Sequence, residues 1–321
     1  MKKMKSIEIA KQRFSAGENT QLKIQVGRLT SGNLIYVQGQ VYRSKKEGPT
    51  TLLLAGVHGD EINGIETIRR ILDQKALEEI KAGTIIVIPI VNVYGFINSS
   101  RYVPDGKDVN RSFPGTLNGS LASRIARTLT KYIFPNVDYI IDFHTGGDLR
   151  YNYPQIRYTK GDLKSKKLAE IFHAPYTIAT RNISKSLRKS AHTMGIPSLI
   201  YEGGESIRIN PEVVTVGLEG VFRCLHHLGH VSDRYLHHAA YDNTIIEKTS
   251  WKRAHYSGIL IKSKTSGDYV KKGTILGTIN DPYGLKSKPI IASSSGHIIG
   301  HNNASLVNYG DAIFHLGKVK N

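Results

Sequence analysis

The strongest constraint on this chain is a rhythm running from about residue 49 to 230, where short, nearly wholly apolar runs alternate with longer amphipathic stretches. Thr51-Leu52-Leu53-Leu54-Ala55-Gly56, Thr84-Ile85-Ile86-Val87-Ile88-Pro89-Ile90, Val137-Asp138-Tyr139-Ile140-Ile141-Asp142-Phe143 and Ser198-Leu199-Ile200-Tyr201 read as buried strands. Glu61 to Ile80 carries Ile65, Ile68, Ile71 and Leu72 at helical spacing, and residues 211–229 also read as helical. Strands apolar on both faces need cover on both faces. The expected fold class is therefore α/β, with a mixed, mostly parallel central sheet and helices on both sides. In such sheets ligands bind outside the carboxyl ends of the strands.

The flanks differ in texture. Gln21-Leu22-Lys23-Ile24-Gln25-Val26 and Leu34 to Val41 alternate at period two, which places antiparallel strands within 20–45 at the edge of the main sheet. From about residue 250 the helical pattern disappears. Gly258-Ile259-Leu260-Ile261, Gly273-Thr274-Ile275-Leu276-Gly277 and Gly296-His297-Ile298-Ile299-Gly300 read as short strands between glycine-rich turns. The expected division is an α/β domain over 1–240 and a small β-rich domain over 241–321, with His226 to His238 closing the last helix and opening the linker.

Composition narrows the setting. At 40% hydrophobic and 22% charged residues the chain resembles an ordinary globular protein. No run is long enough to span a bilayer, and the basic start Met1-Lys2-Lys3-Met4-Lys5 is not followed by an apolar stretch of signal-peptide length. A cytoplasmic protein without membrane partners is the expectation. The single cysteine, Cys224, cannot form an intramolecular disulfide and sits in an apolar run, as a core residue would. The net charge of +18 favours anionic partners. Charge alone does not choose among a carboxylate-bearing substrate, an anionic membrane and a nucleic acid, but the basic residues are scattered and form no recognisable nucleic-acid module, so no nucleic acid is expected. Homo-oligomerisation is left open by the sequence.

Four segments carry candidate chemistry. Gly56-Val57-His58-Gly59-Asp60-Glu61 lies where a buried strand gives way to a helix, and the turn can aim the His58 imidazole and the Glu61 carboxylate at one point, a nitrogen–oxygen pair that zinc accepts. The plainer alternative is a Glu61 that only supports a helix N-terminus. Ile141-Asp142-Phe143-His144-Thr145-Gly146-Gly147 ends another strand in a histidine. Asp142 and His144 share a face there, so Asp142 can brace the imidazole of a metal ligand. Two histidines and one carboxylate leave a fourth position open, which is the catalytic rather than the structural zinc arrangement. Glu202, in Tyr201-Glu202-Gly203-Gly204-Glu205, also follows a buried strand and is suited to proton transfer if it lies near that centre. The loop Arg101 to Gly115 places Arg101, Asn110 and Arg111 in one irregular segment, where guanidinium forks can hold a carboxylate.

The ordered set His58-Gly59-Asp60-Glu61, Arg101, Asp108-Val109-Asn110-Arg111, His144 and Glu202 resembles the succinylglutamate desuccinylase/aspartoacylase family, zinc enzymes related to the metallocarboxypeptidases. The matching segments run from about residue 52 to 205, and the β-rich tail resembles the C-terminal domain of that family. The resemblance implies that one Zn2+ per chain is held by His58, Glu61 and His144, with Asp142 and Asp108 behind the ligands. Glu202 would serve as general base and then acid, Arg101 would polarise the scissile carbonyl, and Asn110 and Arg111 would hold a substrate carboxylate. The implied reaction is hydrolysis of a small N-acyl amino acid or related amide.

The segment Ser266 to Gly277 resembles a hairpin of biotinyl- or lipoyl-type barrel-sandwich domains, but the tail lacks the Met-Lys pair that carries a prosthetic group. Tyr283 or its neighbours are the expected contribution of this domain to the site entrance. A carboxypeptidase-like peptidase is the alternative on the same metal scaffold, and a non-enzymatic binder of anionic polymers a distant third. His226, His227, His230, His237 and His238 cluster without a supporting carboxylate pattern and read as structural.

Overall fold

The computed structural model describes residues 5–319. A small hairpin, β1 (Ile7–Ile9) and β2 (Gln12–Phe14), precedes two long strands, β3 (Asn19–Arg28) and β4 (Leu34–Arg43). The α/β section follows as β5 (Thr50–Leu54), α1 (Ile62–Asp73), β6 (Thr84–Ile90), α2 (Val93–Ile97), α3 (Leu121–Thr128), β7 (Tyr139–Gly146), β8 (Arg150–Thr159), α4 (Leu163–Phe172), β9 (Tyr176–Thr180), α5 (Leu187–Thr193), β10 (Ser198–Glu205) and α6 (Pro211–His227). Strands β11 (Thr244–Arg253), β12 (Gly258–Lys262), β13 (Tyr269–Val270), β14 (Ile275–Asn280), β15 (Ser287–Ile291), β16 (Gly296–Asn302), β17 (Leu306–Val307) and β18 (Ala312–Val319) complete the chain.

One sheet of 12 strands, in the order β13-β16-β18-β11-β9-β8-β10-β7-β5-β6-β4-β3, runs through most of the molecule. It is mixed. The inner run β6-β5-β7-β10 is parallel, whereas β8 runs antiparallel to β10 and β3–β4 are antiparallel at the edge. The turn from β7 into β8 is too short for a parallel crossover, so β8 must run back antiparallel. Side chains alternate across the inner strands. Leu52, Leu54, Ile86 and Ile88 pack with Ala122 and Ile125 of α3 and Leu187 of α5. Their neighbours Leu53, Ile85, Val87 and Ile141 pack on the other face with Ile68 of α1, Phe172 of α4 and Phe222 of α6. Helices thus cover both faces, and the parallel strands end together at one edge of the layer, where the candidate residues sit.

The β-rich tail joins this sheet directly, since Thr244 to Ile246 of β11 pair in parallel with Tyr176 to Ile178 of β9, and β16 pairs with β8 through Gly300 and Asn152. A second sheet, β15-β14-β12-β17, closes a separate apolar core that includes Leu260, Leu276, Ile290 and Phe314. One local expectation is corrected. Helix α1 stops at Asp73 because Gln74 turns extended, and a 3-10 turn over Lys75–Leu77 keeps Ala76 and Leu77 against the same core. The sequence pattern continued to Ile80 because that turn preserves the spacing of the buried side chains.

Candidate active site

His58 leaves the end of β5 in a turn whose Gly59 lies against the backbone of α2; a Cβ there would overlap Gly95, so only glycine permits the approach. Glu61 is the residue before the first turn of α1, where the helix dipole favours a carboxylate. His144 ends β7. Its Nδ1 lies 2.7 Å from Glu61 Oε2, His58 Nδ1 lies 2.7 Å from Glu61 Oε1, and the two Nδ1 atoms are 3.2 Å apart. All three side chains are buried. One ligand atom from each falls within 4.8 Å of the others, the one such group of three or more metal-binding side chains among the described residues.

Each imidazole is oriented from behind. His144 Nε2 lies 3.0 Å from Asp142 Oδ2, and His58 Nε2 lies 3.2 Å from Asp108 Oδ1. Carboxylates behind both ring nitrogens turn the two Nδ1 atoms inward. The Thr145 backbone N–H donates to Glu61 Oε2 at 3.1 Å. Arg101 donates to Asp108 through Nε and Nη2, at 3.1 and 2.8 Å, and its Nη1 points to Glu61 Oε1 at 3.4 Å.

The electrostatics fit a cation. Burial disfavours charge on Glu61, yet the two imidazoles outweigh it and hold this carboxyl far below its usual range. Burial works against protonation of His144, but Asp142 and Glu61 raise its pKa well above the ordinary value; His58 is raised by Glu61 and Asp108 against the same penalty. Three carboxylates (Glu61, Asp108 and Asp142) surround the imidazoles against one guanidinium, so neutral imidazoles leave two negative charges, which one divalent ion neutralises. Tetrahedral zinc with ligands at about 2.1 Å places its donors about 3.4 Å apart. Donor separations of 2.7 to 3.2 Å approach that spacing.

Glu202 sits on β10 in register with His144 on the neighbouring parallel strand, so the carboxylate and the metal group line the same cavity of about 450 Å³. Asn152 Nδ2 donates to Glu202 Oε2 at 2.9 Å, and Arg157 Nη1 lies 3.2 Å from Oε1. Arg101, Asn110 and Arg111 line this cavity too. Asn110 Oδ1 accepts from the Leu187 backbone N–H at 2.9 Å, which ties the Arg101–Gly115 loop to the start of α5. Arg111 donates to the Asn110 carbonyl at 2.7 Å and is exposed at the mouth.

Several lining residues were not visible from sequence: Arg150, Asn152 and Arg157 on β8, Arg188 on α5, and Trp251 with His315 from the C-terminal strands. Arg188 is buried, and its Nε and Nη1 have no hydrogen-bond partner. Burial, then the neighbouring Arg157, lowers its pKa to about 10. The Trp251 and His315 rings stack at 4.4 Å between centroids. Tyr283, the expected contribution of the tail, is 83% exposed and does not line the cavity; it sits at the tip of the β14–β15 turn, and Trp251 and His315 reach inward instead. Two of the linker histidines have structural hydrogen-bond partners. His230 bridges Thr51 Oγ1 and the Ala82 carbonyl, with burial lowering its pKa to about 4, and His226 pairs with Asp233.

The chain and its fold match known proteins. Residues 47–228 match the model of the succinylglutamate desuccinylase/aspartoacylase catalytic domain. The chain is 27% identical over 288 residues to the N-alpha-acetyl-L-2,4-diaminobutyric acid deacetylase of Halomonas elongata, a match covering 85% of this chain and 83% of that one. Its fold is shared with a succinylglutamate desuccinylase/aspartoacylase from Rhodobacter sphaeroides, at a TM-score of 0.85 and 24% identity over 94% of this chain and 96% of that one. It is shared also with the product-bound ectoine utilization protein EutE (DoeB) from Ruegeria pomeroyi, at a TM-score of 0.82 and 22% identity over 93% and 94% of the two chains. The chain belongs to the succinylglutamate desuccinylase/aspartoacylase family. No helix among the described residues is long and apolar enough to cross a membrane.

Proposed function

We propose that this protein is a zinc-dependent deacylase that hydrolyses the amide bond of a small, carboxylate-bearing N-acyl amino acid. The observation that carries the reading is the convergence of His58, Glu61 and His144 in a cavity that also holds Glu202. The activity named for the Halomonas elongata relative supports the reaction class. Zinc held by His58, Glu61 and His144 would lower the pKa of a water to about 7 and act as a Lewis acid on the carbonyl.

The protein's own groups supply the rest. Glu202 takes a proton from the attacking water and returns it to the leaving nitrogen. Arg101 is fixed by Asp108 and offers Nη1 on the side of the metal group, where the carbonyl oxygen gains negative charge. Asn110 and Arg111 hold the substrate carboxylate at the mouth. Among the described residues neither Arg111 nor Arg188 makes an ion pair, so the cavity keeps cationic groups for an anionic ligand. Trp251 and His315 wall off the side towards the tail, which favours a small substrate over the peptide of a carboxypeptidase-like enzyme.

The test is a panel of N-acetyl and N-succinyl amino acids set beside short peptides. The expected result is turnover of at least one N-acyl amino acid, with Glu202→Gln slowed by roughly 10²- to 10⁴-fold at unchanged metal content. Full activity of Glu202→Gln, or cleavage of peptides alone, contradicts the proposal.

A further inference from the structure

Strand β16 lies in the C-terminal region, yet it runs beside β8 and ends next to Asn152, one of the two groups that hold Glu202. Two lines of contact connect them. In the first, Gly300 faces Asn152 across the β16–β8 pair. A Cβ at residue 300 would lie 2.8 Å from Asn152 Oδ1, while Asn152 Nδ2 donates to Glu202 Oε2. The missing side chain of Gly300 is thus the space that the Asn152 amide occupies.

The second line starts at a bulge. Against β18, Ile298 pairs with Leu316 and Gly300 with His315, so Ile299 is the extra residue, without a partner in that register. Its carbonyl accepts from Gln155 Nε2 at 3.1 Å. Gln155 is fully buried and in register with Glu202. Gln155 Oε1 accepts from Arg157 Nη2 at 3.4 Å, and Arg157 Nη1 meets Glu202 Oε1 at 3.2 Å. A buried carbonyl left over by a bulge needs a donor, and Gln155 satisfies it while orienting the arginine.

We infer that β16 fixes the Glu202 carboxylate, with Asn152 and Arg157 as positioning residues, one on each oxygen. This rests on the reading of Glu202 as the base. It assigns the tail a part in the reaction besides walling the cavity, because the bulge at Ile299 and the glycine at 300 set where that carboxylate points.

The experiment is a double-mutant cycle between Gly300→Ala and Asn152→Ala, with Gln155→Met as an independent probe of the second line. Each variant is assayed with the N-acetyl amino acid turned over fastest by the wild type. Each single variant is expected to lose roughly 10- to 100-fold in kcat, as for a group displaced by about 1 Å, with KM and bound zinc held within twofold. In the Asn152→Ala background, Gly300→Ala is expected to add little, since the group it displaces is gone. A crystal structure of Gly300→Ala should show the Asn152 amide and the Glu202 carboxylate shifted together. Wild-type kcat in Gly300→Ala and Asn152→Ala, or fully additive losses, would overturn the inference even with Glu202→Gln inactive. An active Glu202→Gln would instead remove the reading beneath it.

Discussion

Replacing Asp142 by asparagine separates the charge behind His144 from the shape of the site. Asp142 is almost fully buried, and its Oδ2 meets His144 Nε2 at 3.0 Å while Oδ1 has no partner. An asparagine can present its oxygen to the same Nε2–H, so the ring keeps its direction, but the negative charge that strengthens Nδ1 as a donor is lost. Supporting groups of this kind change metal affinity by about 10- to 100-fold, equivalent to about 1.4–2.8 kcal/mol. The new amide N–H2 takes the position of the unpartnered Oδ1 and costs about 1–3 kcal/mol of folding stability. That cost falls on metal-free and metal-loaded protein alike and cancels from the affinity. Competition for Zn2+ against a chromophoric chelator measures the affinity; urea unfolding of the metal-free protein measures the stability. A folded Asp142→Asn with wild-type zinc affinity would refute the reasoning.

Further consequences follow from the same geometry. With metal removed, the raised pKa of His144 adds stability that is complete below the ordinary value of 6.5 and is lost as pH rises through the higher folded-state value. The melting temperature of chelated protein should therefore fall above pH 6.5, whereas apparent zinc affinity should rise with pH as protons leave the imidazoles. Gly147→Ala places a Cβ 3.2 Å from Arg101 Nη1, so the guanidinium must shift by tenths of an ångström; kcat should drop up to about tenfold with zinc content unchanged. Trp251→Ala removes a wall of the cavity, and the ratio of kcat/KM for a longer acyl chain over acetyl should rise by about tenfold or more.

What the sequence made legible was set by local pattern. The inner strands are apolar on both faces, so Leu52–Leu54 and Ile85–Ile88 announced themselves, and the residues at their carboxyl ends could be named. Strand β8 could not be read this way. Arg150, Asn152, Gln155 and Arg157 mix polar groups through it, and a register shift between positions 152 and 155 changes the parity, so residues of even and odd number face the same cavity. The junction of β11 with β9 involves three residue pairs far apart in the chain and leaves no local trace. Trp251 and His315 meet only because β11 and β18 pair, which no spacing in the sequence encodes. Asp142 was legible from strand periodicity, while Asp108 entered only through the resemblance, since a loop has no period from which to place it.

The central claim is that His58, Glu61 and His144 share one divalent ion. Elemental analysis of protein stripped with chelator, reloaded with Zn2+ and freed of excess metal tests it most directly. One zinc per chain in the wild type and none retained by His144→Ala is the predicted result. A wild-type protein that retains no metal, or a His144→Ala variant that keeps its zinc, contradicts it.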